Sequence, residues 1–207
     1  PEADDDPDND TATDDGSGDG ELLDEVQTAW WYDNNCNNLT DGEGGSGTGE
    51  DADVALVLDD SGSISSSERQ DIIDAAKTFV DELASNDQAA TVAFGSTAAV
   101  EKELTKLDNS SDVSDVKSSI DNYGTSGVGN STNIDGALEA VNGELESTRA
   151  RTSATPVIVV LSDGAPTANN GIEASDNPDI SDDDDEAAVE EADKVKSSGK
   201  RIISLGF

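Results

Sequence analysis

Two short segments concentrate oxygen ligands. Asp59-Asp60-Ser61-Gly62-Ser63 follows the apolar run Val54–Leu58, and Ser162-Asp163-Gly164 follows the apolar run Val157–Leu161. Residues 59, 61 and 63 are two apart, so a turn aims all three at one point, and Gly62 permits the tight backbone this needs. In an open α/β sheet, ligands bind beyond the C-terminal strand ends, where the strand order reverses. Asp59 and Asp163, delivered there on separate strands with the hydroxyls of Ser61 and Ser63, form an oxygen cage. Such hard donors, with no His or Cys among them, suit Mg2+, Ca2+ or Mn2+ rather than zinc or copper. The alternative is a set of solvated carboxylates in a chain rich in them. An enzyme is the least supported reading and no catalytic residue is assigned. There is no His, no Walker-type Lys loop, and the lone Cys36 has neither an activating partner nor a second Cys to bridge.

The elements that must carry these residues are legible as periodicity. Val54–Leu58 is a continuous apolar run, the signature of a strand buried on both faces. Ser65 and Glu68 make a capping box, and Ile72, Ala76, Phe79, Val80 and Leu83 then repeat with helical period. Thr91–Phe94 reads as a second strand and Ala98–Leu104 as an edge strand. Val113, Val116 and Ile120 mark a helix, as do Ile134, Leu138, Val141 and Leu145. Val157–Leu161 is the most apolar strand. Val189, Ala192 and Val195 mark a helix stopped by Gly199, and Arg201–Leu205 is the last strand. The acidic run Ser181–Glu186 reads as a solvated loop entering that helix. Strands alternating with helices predict an α/β fold around a mostly parallel sheet.

Charge sets the outer limits. Against 11 Lys and Arg stand 48 Asp and Glu, a formal net charge of -37, so nucleic acid and anionic lipid are poor partners. The longest purely aliphatic runs fall far short of the roughly 20 residues a membrane span needs. The acid is spread along the whole chain, which we read as a halophile's hydration coat. At 1 M salt the Debye length is about 3 Å, so the self-repulsion is screened. Residues 1–52 contain no Lys or Arg and read as an acidic, low-complexity leader. Within it, residues 21–32 (with Leu22, Leu23, Val26, Trp30 and Trp31) form a short amphipathic segment, and Asp41–Asp51 a Gly-rich linker. The compact domain is 53–207. The start at Pro1, with neither Met nor an apolar signal segment, reads as a processed product or a fragment.

The motifs carry a resemblance. D-x-S-x-S at the end of the first strand resembles the metal-ion-dependent adhesion site of von Willebrand factor type A domains. Ser131-Thr132-Asn133-Ile134-Asp135-Gly136-Ala137-Leu138 is similar to the segment bearing that family's metal-binding Thr. Ser162-Asp163-Gly164 is similar to its fourth-strand motif. The resemblance covers 53–207 and implies a Rossmann-like, doubly wound sheet with helices on both faces, holding one divalent cation, Mg2+ with Ca2+ or Mn2+ as substitutes. It implies that Ser61, Ser63 and Thr132 bind the metal through hydroxyls, and Asp59 and Asp163 directly or through water. It also implies an open coordination position for a partner's Asp or Glu. Taken with the charge, the chain is read as a halophilic archaeal member. There are departures. Asn130-Ser131 stand where the family usually has glycines, Asp60 adds a carboxylate expected to point away, and Ser66 and Ser67 replace the acids of an adjacent second site. The family's last helix and strand are missing after Phe207, which points to cleavage, to a partial chain or to strand addition by another chain.

The expected function is an extracellular or cell-surface adhesion or assembly module that grips a protein carboxylate through the cation. The alternatives are a structural subunit of a filament, sheath or surface layer, self-assembling through Trp30, Trp31 and the terminal strand, and a cytoplasmic partner of an AAA+ ATPase. No direct membrane insertion is expected. Of the N-x-[ST] sequons at Asn9, Asn38, Asn109 and Asn130, Asn38 and Asn109 are the better glycosylation candidates, being placed in loops. A glycan on Asn130 would obstruct Thr132.

Overall fold

The computed structural model describes residues 51–169 and 180–206. The amphipathic segment 21–32, Trp30, Trp31, Cys36 and the sequons at Asn9 and Asn38 lie outside the described residues. The chain forms β1 (Ala52–Asp59), α1 (Ser66–Glu82), β2 (Gln88–Phe94), β3 (Ala98–Lys106), α2 (Ser110–Asn122), a 3-10 turn (Tyr123–Thr125), α3 (Ile134–Leu145), β4 (Thr155–Ser162), α4 (Ile180–Ser197) and β5 (Arg201–Gly206). The described strands make one sheet in the order β3-β2-β1-β4-β5. β1 is parallel to β2 and β4, β5 is parallel to β4, and only β3 runs antiparallel, beside β2.

β1 is buried along its whole length because both faces are covered. Val54, Leu56 and Leu58 meet Ile72, Ala76 and Val80 of α1 and Val116 and Ile120 of α2. Ala55 and Val57, one step out of phase, meet Ala137, Leu138 and Val141 of α3 and Val195 of α4 on the opposite face. Burying each large aliphatic side chain contributes about 1.5–3 kcal/mol, whereas an exposed ion pair contributes about 0–1 kcal/mol. This double layer, and not the surface pairs Lys77–Asp121 and Lys117–Asp81 between α1 and α2, therefore carries the fold.

The helices begin where capping residues stand. Ser65 accepts from the Glu68 amide while the Glu68 carboxylate accepts from the Ser65 amide, the capping box the sequence predicts. These hydrogen bonds hold the Glu68 carboxyl below its ordinary pKa. Asn109 Oδ1 caps α2 by accepting from the amides of Ser111 and Asp112. Its Nδ2 donates to Asp108 and Asp112, so this sequon asparagine is a working N-cap instead of a free loop residue. Asn133 Oδ1 caps α3 through the Gly136 amide.

β1 starts at Ala52, and Asp51 O accepts from Thr155 N at 2.8 Å. Two expectations are corrected. The run Ser181–Glu186 is helical, because α4 starts at Ile180, and Asp184 within it is buried and accepts from Asn169 Nδ2 at 2.6 Å. Val189 is 54% exposed, while Ala188 and Val195 face inward, so the buried stripe of α4 runs one residue earlier than the larger side chain suggested.

With an acidic excess this large, self-repulsion opposes compaction wherever screening is weak. The melting temperature is expected to climb by several degrees as KCl is raised from 0.2 to 2 M, the Debye length shortening from about 7 Å to under about 3 Å. A calorimetric scan series checks this; a flat response would remove the charge from the stability argument.

Candidate metal centre

β1 and β4 lie side by side at the centre of the sheet, and the chain departs from them to opposite sides, so their C-terminal ends flank the point where strand order reverses. Asp59 ends β1 and Ser162 ends β4. Asp59 is fully buried. Its Oδ1 accepts from the Ser61 amide at 2.8 Å and its Oδ2 from the Ser162 hydroxyl at 2.6 Å. Both oxygens are therefore fixed, one by its own turn and one by the neighbouring strand. The Ser61 and Ser63 hydroxyls lie 2.9 Å apart, and Ser63 Oγ donates to Asp163 Oδ1 at 3.1 Å. Burial pushes the Asp59 carboxyl above its ordinary pKa. Hydrogen bonds from Ser162 and Ser61 oppose that rise, and the charge of Asp163 adds to it.

Thr132 is held through its backbone by the loop that follows β4. Its amide donates to Thr167 Oγ1 at 2.9 Å, and its carbonyl accepts from the Thr167 amide at 2.9 Å. Next to it, Asn133 N donates to Gly95 O and Ser131 N to Ser96 Oγ. Gly62 N donates to Asn130 O at 2.8 Å, which ties the β1–α1 turn to the same loop. The loop approaches β2 so closely that a Cβ on Gly95 would lie 2.3 Å from Gly129 O, and Gly129 itself takes φ +91°. Asp59, Ser61, Ser63 and Asp163 thus join Ser162 in one hydrogen-bonded cluster. Thr132 is bonded to Thr167 and not to this cluster. Asp60 points elsewhere, as strand alternation predicts: its Oδ1 lies 2.5 Å from Arg69 Nη1.

Sequence reasoning did not assign the roles of Ser162, Thr167 and Arg69. The signal for Arg69 was its rarity, since a base in so acidic a chain has many acids to answer. Ser162 stood inside a quoted motif, at the end of β4. Nothing in the sequence marked Thr167.

The donor set fits a hard divalent cation. Its atoms are all oxygens, the carboxylates of Asp59 and Asp163 and the hydroxyls of Ser61, Ser63 and Ser162, with Ser63 Oγ at hydrogen-bond distance from both Ser61 Oγ and Asp163, and Ser162 Oγ bonded to Asp59. Among the described residues no cluster of three or more His, Cys, Asp or Glu could hold a metal, so a cation here would depend on the hydroxyls.

An open, mostly parallel sheet with helices on both faces defines a Rossmann-like domain. Residues 53–207 match the von Willebrand factor type A domain, and the chain belongs to that family. No curated protein sequence matches it. Solved structures similar to it include proximal thread matrix protein 1 from the mussel byssus, at 22% identity and a TM-score of 0.59, covering 75% of this chain and 38% of that one. Manganese-loaded TRAP protein of Plasmodium vivax is 21% identical with a TM-score of 0.57, over 76% of this chain and 57% of that one. The pilus adhesin SpaC of Lactobacillus rhamnosus GG is 20% identical with a TM-score of 0.61, over 77% and 25%. At these identities the likeness is one of fold, and the chain spans less than two thirds of each of these structures. None of its described helices is long and apolar enough to cross a membrane.

Proposed function

We propose that the domain is a divalent-cation-dependent adhesion or surface-assembly module, working outside the cell or at its surface, that captures a carboxylate of a partner protein. The observation that carries this is the joined cluster of Asp59, Ser61, Ser63, Ser162 and Asp163 at the switch point. The names of the similar structures, a pilus adhesin, a thread matrix protein and a manganese-loaded protein, agree with it. Asp59, Ser61, Ser63, Thr132 and Asp163 would hold Mg2+, Ca2+ or Mn2+, and such an ion supplies the positive charge that draws an anionic oxygen. The protein's part is preorganisation. Asp59 is immobilised through both oxygens, so it does not swing away when the site is empty of ligand. Ser61, Ser63 and Thr132 contribute neutral donors, which leave positive charge for the partner. Arg69 holds Asp60 back, which keeps a third carboxylate from cancelling that charge.

The test is a thermal melt in molar KCl with and without Mg2+ or Mn2+, on wild type and Asp163→Ala. At 100 times its dissociation constant the metal is expected to stabilise the wild type by about 2.7 kcal/mol, and the variant not at all. A rise that persists in Asp163→Ala would place the cation elsewhere. No rise in the wild type at saturating metal would favour a building-block role, with the domain serving an assembly without a cation.

A further inference from the structure

Beside the cation rim lies a cleft of about 490 Å³. Ser61 and Gly62 of the β1–α1 turn line it, so it opens directly off the proposed site, and Arg69 is the one basic residue on its wall. The opposite wall is glycine-rich, with Gly127 and Gly129 both at positive φ and nothing within 4 Å of a Cβ on Gly127. That wall lets a partner's main chain approach closely.

Arg69 is placed to receive an anion. It packs over the ring of Tyr123, 5.1 Å from the centroid, and its side chain keeps 29% exposure. Its buried Nη1 is paired with Asp60 Oδ1 at 2.5 Å, which leaves Nε and Nη2 as the donors that a further carboxylate can meet. Asp60 offsets one charge, but a guanidinium accepts carboxylates on more than one edge. Tyr123 beneath it is fully buried, and its neutral ring adds no competing charge.

We propose that Arg69 is a second anchor for the partner, which docks through a diacidic segment: one carboxylate at the cation rim and a second on Arg69 across the cleft. This rests on the function proposed above and adds the chemistry of the partner. Molar salt screens the general repulsion between an acidic partner and so acidic a domain, which leaves short-range contacts to decide docking.

The test uses blocked peptides with a single Asp among glycines, and the same peptides with a second Asp one, two or three positions away. They are titrated into the Mn2+-loaded chain in molar KCl. At least one diacid spacing is expected to bind roughly three- to tenfold tighter than the single-Asp peptide, the range of one charge-assisted pair in a half-buried setting. In R69Q that ratio falls to about one. In D60N, where the internal acid is gone, it rises. Should R69Q fail to fold, D60N and the wild type's Arg69 Nε–H resonance still decide: with Mg2+ in place of Mn2+, that resonance shifts on adding the diacid and not on adding the single-Asp peptide. Binding of the single-Asp peptide with no diacid preference, a preference intact in R69Q, or an unmoved Nε–H signal would each overturn this proposal alone. A chain that binds neither Mn2+ nor either peptide overturns the proposed function and this inference with it.

Discussion

Arg151→Ala is expected to cost the domain about 3–5 kcal/mol, the penalty of breaking a buried ion pair from one side. At about 2–4 °C per kcal/mol for a domain of this size, that is a fall of roughly 10 °C in melting temperature. Arg151 closes the end of the sheet opposite the candidate metal centre. Its Nε donates to Asp53 Oδ1 at 2.8 Å, and Nη2 donates to Ala52 O at 2.7 Å. Nη1 donates to Asn86 O at 2.6 Å and to Asp51 Oδ2 at 3.0 Å. Asp53 is 1% exposed. Truncation would leave it with the Arg151 amide, which donates to Asp53's other oxygen, Oδ2, at 2.6 Å, and would take this donor from the carbonyls of Ala52 and Asn86. Because the pair is buried, molar salt should not shrink the loss. By contrast, Lys117→Ala, which removes an exposed pair with Asp81, should cost under about 1 kcal/mol. Denaturant melts of both variants in 0.5 and 3 M KCl separate the cases. A loss at Arg151 as small as that at Lys117 would show that Asp53 finds water or another donor once the arginine is gone.

That arginine also marks the limit of reading along the chain. The apolar runs Val54–Leu58 and Val157–Leu161 announced strands buried on both faces because nothing polar interrupts them. Ser65 and Glu68 announced a helix start because their interaction spans three residues. Asp59, Ser61, Ser63 and Asp163 were legible because they stand at the ends of such strands, where parallel topology gathers side chains. Thr132 was found only by resemblance, since nothing local to it distinguishes it from the chain's other threonines. The contacts that escaped are non-local. Arg151 meets Asp53 across 98 positions and Thr132 meets Thr167 across 35, and no periodicity encodes such pairs. The helical run Ser181–Glu186 was misread for a different reason. Consecutive aspartates are weak helix formers and signal solvated loop, but Asp184 is held inside by Asn169, and the acids sit in the first turns, where the helix dipole favours them. Ala188 was passed over for Val189 because size stood in for position.

Asp59→Asn is expected to stabilise the metal-free domain at neutral pH and to abolish its stabilisation by divalent cations. Burial raises the Asp59 carboxyl above its ordinary value of 3.8, so the unfolded chain gives up that proton more readily than the folded one. The sign follows: the carboxyl favours folding below pH 3.8, and that contribution is lost as pH rises through the elevated folded value. At neutral pH the fold therefore carries an ionised group against its burial. Asparagine removes the charge and keeps the geometry, since its oxygen still accepts from the Ser61 amide and its amide still reaches the Ser162 oxygen. With chelator in molar KCl, the variant should melt above the wild type at pH 7.5, and the gap should close as pH falls toward 3.8. With saturating Mn2+ the order should reverse, because the wild type alone gains about 2.7 kcal/mol, or roughly 5–10 °C. A variant less stable than wild type in chelator would mean that the hydrogen bonds to the carboxylate outweigh its burial. A variant still stabilised by Mn2+ would remove Asp59 from the site. The expected crossing is the signature of a group whose instability in the empty fold is released by the ligand it is placed to hold.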